Sequence, residues 1–305
     1  MRRLGITHYT RFEYSEPVAL GEHRLMFRPR DSHDLRLLDT GMLIKPAADI
    51  RWMHDVFSNS IALATFAEAT SVLEITSSVE IELYGAPAFD ALVSDYAATL
   101  PFIYDPRELP DIASCMERHD HDPMNAVSAW ANKFVPAGGQ AGTMSLLLEM
   151  TAAIKRNFRY SMRHESGVQS PARTLELGSG TCRDFALLMM EGVRSLGLAA
   201  RFVTGYIYVP ALDNGDGTTR EPAWPHAWVQ VYVPGAGWLE FDPTNGIAGG
   251  GDLIRVAVGR DPSQAMPVNG SFVGPAGAGI AHVVNVSVFA LPPPAVEVPP
   301  RLQAA

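Results

Sequence analysis

Gly178-Ser179-Gly180-Thr181-Cys182-Arg183-Asp184-Phe185, continued by the apolar run to Gly197, decides how the rest of the chain is read. Phe185, Leu188, Met189, Gly192, Val193 and Leu196 recur at helical spacing, so Cys182 opens an amphipathic helix whose apolar stripe faces a core. Thr181 is placed to cap it, Asp184 follows at the third helical position as in a capping box, and Gly197 ends it where a left-handed residue is wanted. A cysteine at a helix start faces unpaired backbone N–H groups and the positive end of the dipole, a setting in which sulfur becomes a nucleophile. Taken alone, Cys182 reads more simply as a small buried apolar residue.

Two later stretches reverse that reading. Trp224-Pro225-His226-Ala227-Trp228-Val229-Gln230-Val231-Tyr232-Val233 sets a histidine at the start of an alternating strand, and Gly237-Trp238-Leu239-Glu240-Phe241-Asp242-Pro243-Thr244-Asn245 sets an aspartate where the next strand ends. Nucleophile, base and orienting carboxylate thus arrive in the order Cys182, His226, Asp242. The chemistry also constrains the hairpin between them. A plain four-residue loop, Pro234-Gly235-Ala236-Gly237, would pair Val233 with Trp238 and Val229 with Asp242, leaving His226 and Asp242 on opposite faces. A loop of odd length, or a bulge at Gly235 or Gly237, is therefore required; it brings Asp242 within reach of His226 Nδ1 and turns Val229, Val231 and Val233 to the other side.

These motifs, G-x-C-R-D-F on a helix, then R-F-V-T-G-Y, H-A-W-V-Q-V-Y and G-W-L-E-F-D-P-T-N-G, resemble the core of the transglutaminase-like superfamily of papain-type cysteine enzymes. The match runs from about Phe158 to Gly246. Leu253 to Asp261 resembles the tail of the bacterial members, and the N-terminal region resembles the β-rich domain those members carry. Pro225 is a departure, since many relatives have a polar or acidic residue before the histidine. The resemblance implies an α+β chain: an N-terminal antiparallel β-sandwich-like domain, then a papain-like core with the nucleophile at a helix N-terminus packed on an antiparallel sheet.

At 305 residues and 47% hydrophobic, the chain is near the size at which one core stops growing, so two domains are expected. Residues 1–88 read as β-rich, with strands near 6–14, 35–44, 50–57, 61–66 and 72–84, and Val79, Ile81 and Leu83 alternate with Glu80 and Glu82 as on a strand with one wet face. Residues 89–122, with prolines at 101, 106 and 110, read as a linker. Residues 123–291 form the catalytic core: a helix opened by Pro123, a second over 144–157 capped by Thr143, a short one after Ser170-Pro171, the Cys182 helix, and strands that include Leu253 to Val258 and His282 to Leu291 completing the sheet. Residues 292–305 read as a disordered Pro-rich tail.

Several classes fall away. A net charge of -9 argues against nucleic acid or an anionic membrane as partner. No stretch is long and apolar enough to span a bilayer, and Met1 to Arg11 lacks a signal-like apolar segment. Two cysteines, Cys115 and Cys182, build no disulfide framework or cysteine zinc site, so a cytoplasmic protein is expected. His119-Asp120-His121-Asp122 reads as a solvated loop, Asp213 to Gly217 lacks the glutamate a calcium loop needs, and no metal or cofactor is assigned.

The expected chemistry is acyl transfer through a thioester: Cys182 attacks an amide carbonyl of a peptide or protein, His226 moves the proton, and Asp242 orients His226. The Cys182 backbone N–H is the natural first oxyanion donor. Relatives use a side-chain donor from the segment before the nucleophile, which makes Tyr160 the candidate for the second. Trp224 and Trp228, flanking His226, are candidate substrate contacts. The resemblance favours peptidase or amidase activity, with protein cross-linking as the alternative, and a catalytically silent interaction module would retain the fold alone.

Overall fold

The computed structural model describes residues 1–84, 93–163 and 167–292. The expected boundary at 88/89 and all but the first residue of the 292–305 tail lie outside them. Six strands come first: β1 (Arg2–Leu20), β2 (His23–Leu25), β3 (Leu35–Lys45), β4 (Asp49–His54), β5 (Ser60–Thr65) and β6 (Thr70–Leu83). β1, β6 and β3 form one antiparallel sheet, and β2, β5 and β4 belong to another. Tyr14, Val18, Leu25, Phe27, Ala62, Ala64, Leu73 and Ile75 fill the space between them, so the unit is a sandwich. The alternation along β6 is as the sequence implies. Val79, Ile81 and Leu83 are buried, while Glu80 and Glu82 on the wet face pair with Arg3 at 2.9 Å and Arg36 at 3.9 Å.

The middle of the chain runs β7 (Thr99–Leu100), α1 (Leu109–Ile112), α2 (Ala126–Asn132), β8 (Ala141–Gly142), α3 (Thr143–Asn157), β9 (Arg159–Tyr160), α4 (Pro171–Leu177), β10 (Ser179–Gly180) and α5 (Cys182–Ser195). The stretch expected to be a linker is packed in from residue 93 onward: Leu100, Tyr104, Ile112 and Cys115 join the core around α5. Tyr104 Oη donates to the Tyr232 carbonyl at 2.9 Å and accepts from the Ala199 N–H at 2.9 Å. The fully buried Arg194 on α5 holds the Cys115 carbonyl at 2.9 Å and the Glu191 carboxylate at 2.8 Å. Two helix starts differ from expectation. α2 begins at Ala126, because the Asp122 carboxylate accepts from the N–H groups of Ala126 and Val127. Thr143 is the first residue of α3 rather than its cap, and its hydroxyl donates to the Ala97 carbonyl at 2.5 Å.

Five strands follow as one sheet, ordered β14-β13-β12-β11-β15: β11 (Ala200–Ile207), β12 (His226–Val233), β13 (Gly237–Asp242), β14 (Ile247–Ala248) and β15 (Leu253–Gly259). α5 lies on the face carrying Ala227, Val229, Val231, Val233 and Phe241. The other face, through Tyr206, Ile254 and Val256, meets Leu4, Ile6 and Val79 of the N-terminal sheet. The chain then returns to where it began, through β16 (Val268–Asn269), β17 (Phe272–Val273) and β18 (Gly279–Ala290). β18 does not complete the catalytic sheet, as the sequence suggested. It pairs antiparallel with β1, from Leu4 opposite Ala290 to Phe12 opposite His282, so the N-terminal sheet is built from both ends of the chain. A strand's partner is a long-range property, and the apolar alternation of β18 suits either sheet equally well.

Gly205 marks where β11 slips past β15, at a register shift between Thr204 and Gly205. A Cβ there would sit 2.0 Å from the Ile254 carbonyl oxygen and 2.9 Å from the Trp228 ring. Gly205→Ala is expected to destabilise the fold by about 1–3 kcal/mol or more, the usual cost of overpacking, seen as a lowered midpoint in urea unfolding. An unchanged midpoint would mean that β11 and β15 separate freely at this point.

Candidate active site

Asp184 fixes the start of α5. Its buried carboxylate accepts from the Thr181 N–H at 2.7 Å and hydroxyl at 2.9 Å, from the Gln169 N–H at 2.7 Å, and from Arg163 through two bonds of 2.9 Å. Burial works against this charge, but the Arg163 guanidinium and the convergent N–H donors outweigh it, and the carboxyl stays below its ordinary range. Gly180 is needed for this closure, since a Cβ there would meet the Asp184 Cβ at 2.8 Å. The effect is to lock Cys182 as the first residue of a helix whose following turns are almost wholly buried. Its N–H is one of the unpaired donors of a helix start, the type of donor an oxyanion can use.

The hairpin of β12 and β13 has the odd loop that the chemistry requires. Val233 pairs with Gly237 across Pro234, Gly235 and Ala236, and Val229 pairs with Phe241. Gly235 and Gly237 take φ of 86° and 76°, a region open to glycine. Asp242 thereby shares a face with His226 and Trp228, and its Oδ2 lies 2.8 Å from His226 Nε2. The nitrogen is the opposite of the one expected. Because Nε2 is committed to Asp242, Nδ1 is the nitrogen left for Cys182, which contributes after Asp242 to raising the same imidazole.

The Asp242 carboxylate is fully buried and fully occupied. Oδ2 also accepts from Asn245 Nδ2 at 2.7 Å, while Oδ1 accepts from the N–H groups of Thr244 at 2.9 Å and Asn245 at 3.2 Å. Burial alone would push the His226 imidazolium down. The hydrogen bond and charge of Asp242, and then those of Cys182, reverse this and raise it to about 10. Burial likewise opposes the Asp242 carboxylate, but His226 and Asn245 hold its pKa below the usual range. Asn245 is thus a positioning residue that sequence reasoning quoted but did not single out.

The flanking tryptophans divide. Trp228 is fully buried, its ring 5.8 Å from that of His226 and its Nε1 donating to Glu240, so it supports the histidine from below and is not the substrate contact expected. Glu240 is held in turn by Gln230 at 2.6 Å and Arg255 at 2.5 Å. Trp224 is half exposed at the approach to His226. Tyr160 lies in β9, which pairs in parallel with β10 (Gly180 opposite Tyr160), and so flanks the loop entering Cys182. Burial, followed by the nearby Cys182, raises its phenol to about 12, so it keeps a proton to donate. A cavity of about 580 Å³ opens beside this strand pair, lined by Met162, Arg163, Gln169, Ser179 and Gly180. The larger one, about 720 Å³ between α2, α3 and α4, contains none of Cys182, His226 or Asp242. Among the described residues no group of three potential metal ligands converges, and no helix is long and apolar enough to cross a membrane.

Residues 4–82 match the bacterial transglutaminase-like N-terminal region, and residues 129–243 match the transglutaminase-like superfamily. The chain belongs to the transglutaminase-like superfamily. An uncharacterized protein of Mycobacterium leprae is 26% identical over 95% of this chain and all of its own length. One from Mycobacterium tuberculosis is 27% identical over 88% of this chain and 87% of its own. Among solved structures, a candidate cysteine protease from Cytophaga hutchinsonii superposes with a TM-score of 0.72 at 19% identity, over 96% of this chain and 91% of that one, which shows a shared fold. Superfamily membership, together with a thiol, imidazole and carboxylate in series, supports a cysteine-dependent enzyme.

The ion pair of this transglutaminase-like site has a pH signature. His226 is raised from 6.5 to about 10, so its contribution to stability is fully present below pH 6.5 and is lost as pH rises through about 10. Asp242 is lowered from 3.8, so its contribution is present above that value and is lost as pH falls through the folded-state pKa. The difference in unfolding free energy between the wild type and Asp242→Asn should therefore be largest between about pH 4 and 6.5 and shrink toward pH 10. Urea unfolding at several pH values measures it; a difference constant from pH 5 to 10 would show that His226 is not charged by Asp242.

Proposed function

We propose that this protein cleaves amide bonds in peptide or protein substrates through a thioester on Cys182 that water resolves. The observation that carries this reading is one buried imidazole bonded to Asp242 at Nε2, with its other nitrogen left for Cys182, whose influence with that of Asp242 raises the ring. Nδ1 of the His226 imidazolium already holds the sulfur's proton when Sγ bonds to the carbonyl carbon. Asp242 stabilises the imidazolium and holds the ring orientation throughout. The oxyanion meets the Cys182 N–H, with the Tyr160 phenol as the second donor. Collapse breaks the C–N bond, and Nδ1–H protonates the leaving amine. Water then adds to the thioester with His226 as base, the S–C bond breaks, and the acid and free thiol are released.

Hydrolysis is favoured over amine transfer by the likeness to a candidate cysteine protease across nearly the whole chain. A cytoplasmic, reducing setting suits the two free thiols, Cys115 and Cys182. Burial pushes the Cys115 thiol up and shields it, whereas Cys182 sits at a helix start beside a charged imidazole.

Brief iodoacetamide treatment near neutral pH, followed by peptide mapping, should label Cys182 far faster than Cys115. Equal rates in folded protein would remove Cys182 as the nucleophile. A screen of peptides, glutamine amides and isoglutamyl amides, reading ammonia and free amines separately, identifies the acyl donor and separates hydrolysis from cross-linking. On the substrate found, Cys182→Ala should abolish turnover and Asp242→Asn should lower it about a thousandfold or more. Tyr160→Phe should cost about 10²–10³ in kcat if the phenol donates to the oxyanion, and nothing if it only packs.

A further inference from the structure

β18 is an edge strand with one residue already seated on it. The Ala223 N–H donates to the Val286 carbonyl at 2.7 Å and the Val286 N–H donates back at 2.9 Å, an isolated antiparallel bridge. Prolines at 222 and 225 flank Ala223 and Trp224, so the bridge is not extended on either side. At Pro225 the chain turns away from this edge, one residue before the catalytic histidine. Because Val286 gives both its backbone groups to Ala223, alternation along β18 turns the N–H and C=O of Val284 and His282 to the same edge, while Val283 and Ala281 bond inward to β1. Among the described residues, no backbone group pairs with Val284 or His282 on that side.

Gly279-Ile280-Ala281-His282-Val283-Val284-Asn285-Val286 contains no lysine, carboxylate or proline, the residues with which proteins usually blunt an exposed edge. The open stretch also adjoins the segment that leads to His226. His282 stacks on Phe12, with ring centroids 4.4 Å apart and planes 6° from parallel, which fixes the strand at this point. Ala223, bridged to this strand at Val286, stands three residues before His226, so the free stretch beyond the bridge begins next to the segment that enters the catalytic strand.

We propose that substrate binds as an extended polypeptide strand on the free edge of β18, continuing the line begun by Ala223 opposite Val284 and His282, which delivers its scissile amide to Cys182. This rests on the reading of Cys182 as nucleophile and specifies the substrate class: an unfolded or extended segment recognised mainly through its backbone, rather than a small amide or a helix. The N-terminal sandwich is then part of the substrate site, since β18 is secured to it by β1.

The test uses intact protein and alkylating probes that need no known substrate. Acetyl-tetraalanyl chloromethyl ketone is compared with chloroacetone; in each case an Sγ–C bond forms and chloride leaves. The peptide ketone should label Cys182 about tenfold faster or more, the gain expected of a few backbone hydrogen bonds. N-methylation of alternate amides should remove the gain at one parity and spare it at the other. His282→Pro, which deletes an outward N–H at an edge where proline is tolerated, should lower the ratio of the two rates. If that variant does not fold, the N-methyl series on wild-type protein decides alone. Equal rates for all N-methylated peptides, or equal loss at both parities, would overturn edge recognition. Failure of both probes to label Cys182 would instead overturn the nucleophile and this proposal with it.

Discussion

The buried carboxylate of Asp242 is the constraint on which the site depends. An ionised carboxylate withdrawn from water costs several kcal/mol unless its lone pairs and charge are met. Here two backbone N–H groups, the Asn245 amide and the His226 imidazolium meet them all. The turn after β13 supplies three of these four bonds from residues adjacent in sequence. The fourth depends on the three-residue loop Pro234 to Ala236, which sets the register one residue away from the plain hairpin. Without that offset Asp242 would face α5, and a charge would sit among Val229, Val231 and Val233 with no partner.

A second buried carboxylate does the corresponding work for the nucleophile. Asp184 gathers the loop before α5, the segment around Gln169 and the Arg163 guanidinium onto one helix start, so Cys182 is held from the side away from the sheet while His226 is held from within it. Between the two anchors, α5 packs its apolar face on β12. Gly192 lets the helix approach α2 closely, because a Cβ there would meet the Trp130 ring at 2.7 Å. The sulfur and imidazole are therefore positioned by rigid elements rather than by flexible loops, which favours reactive geometry before substrate arrives.

Much of this was legible in the sequence. Helical spacing after Cys182 and period-two alternation through β12 are local signals, and they gave both elements. The hairpin offset was also readable, because three residue types that must meet leave only one parity. Other features were not. Which imidazole nitrogen faces Asp242 depends on the direction from which α5 approaches β12, a tertiary property. Asp184 collects Arg163 and Gln169 from 21 and 15 residues away across a loop, and no periodicity marks such partners. Trp228 looked like a substrate contact beside His226, yet same-face neighbours along a strand become buried when another sheet covers that face. β18 read as a catalytic strand because its alternation fits any half-buried sheet, and only β1, far earlier in the sequence, reveals where it pairs.

The return of β18 to β1 joins the sandwich to the catalytic sheet through Leu4, Ile6, Val286 and Val288 against Tyr206 and Ile254. The N-terminal region is thus a structural partner of the site rather than an appended module. The central claim remains the thiol–imidazole–carboxylate line with Nε2 on Asp242. Long-range ¹H–¹⁵N spectra of protein carrying ¹⁵N-labelled histidine, recorded near neutral pH, test it most directly. The account predicts that His226 has both nitrogens protonated, with the Nε2 proton shifted downfield by Asp242. A neutral His226 whose single proton resides on Nδ1 would contradict it.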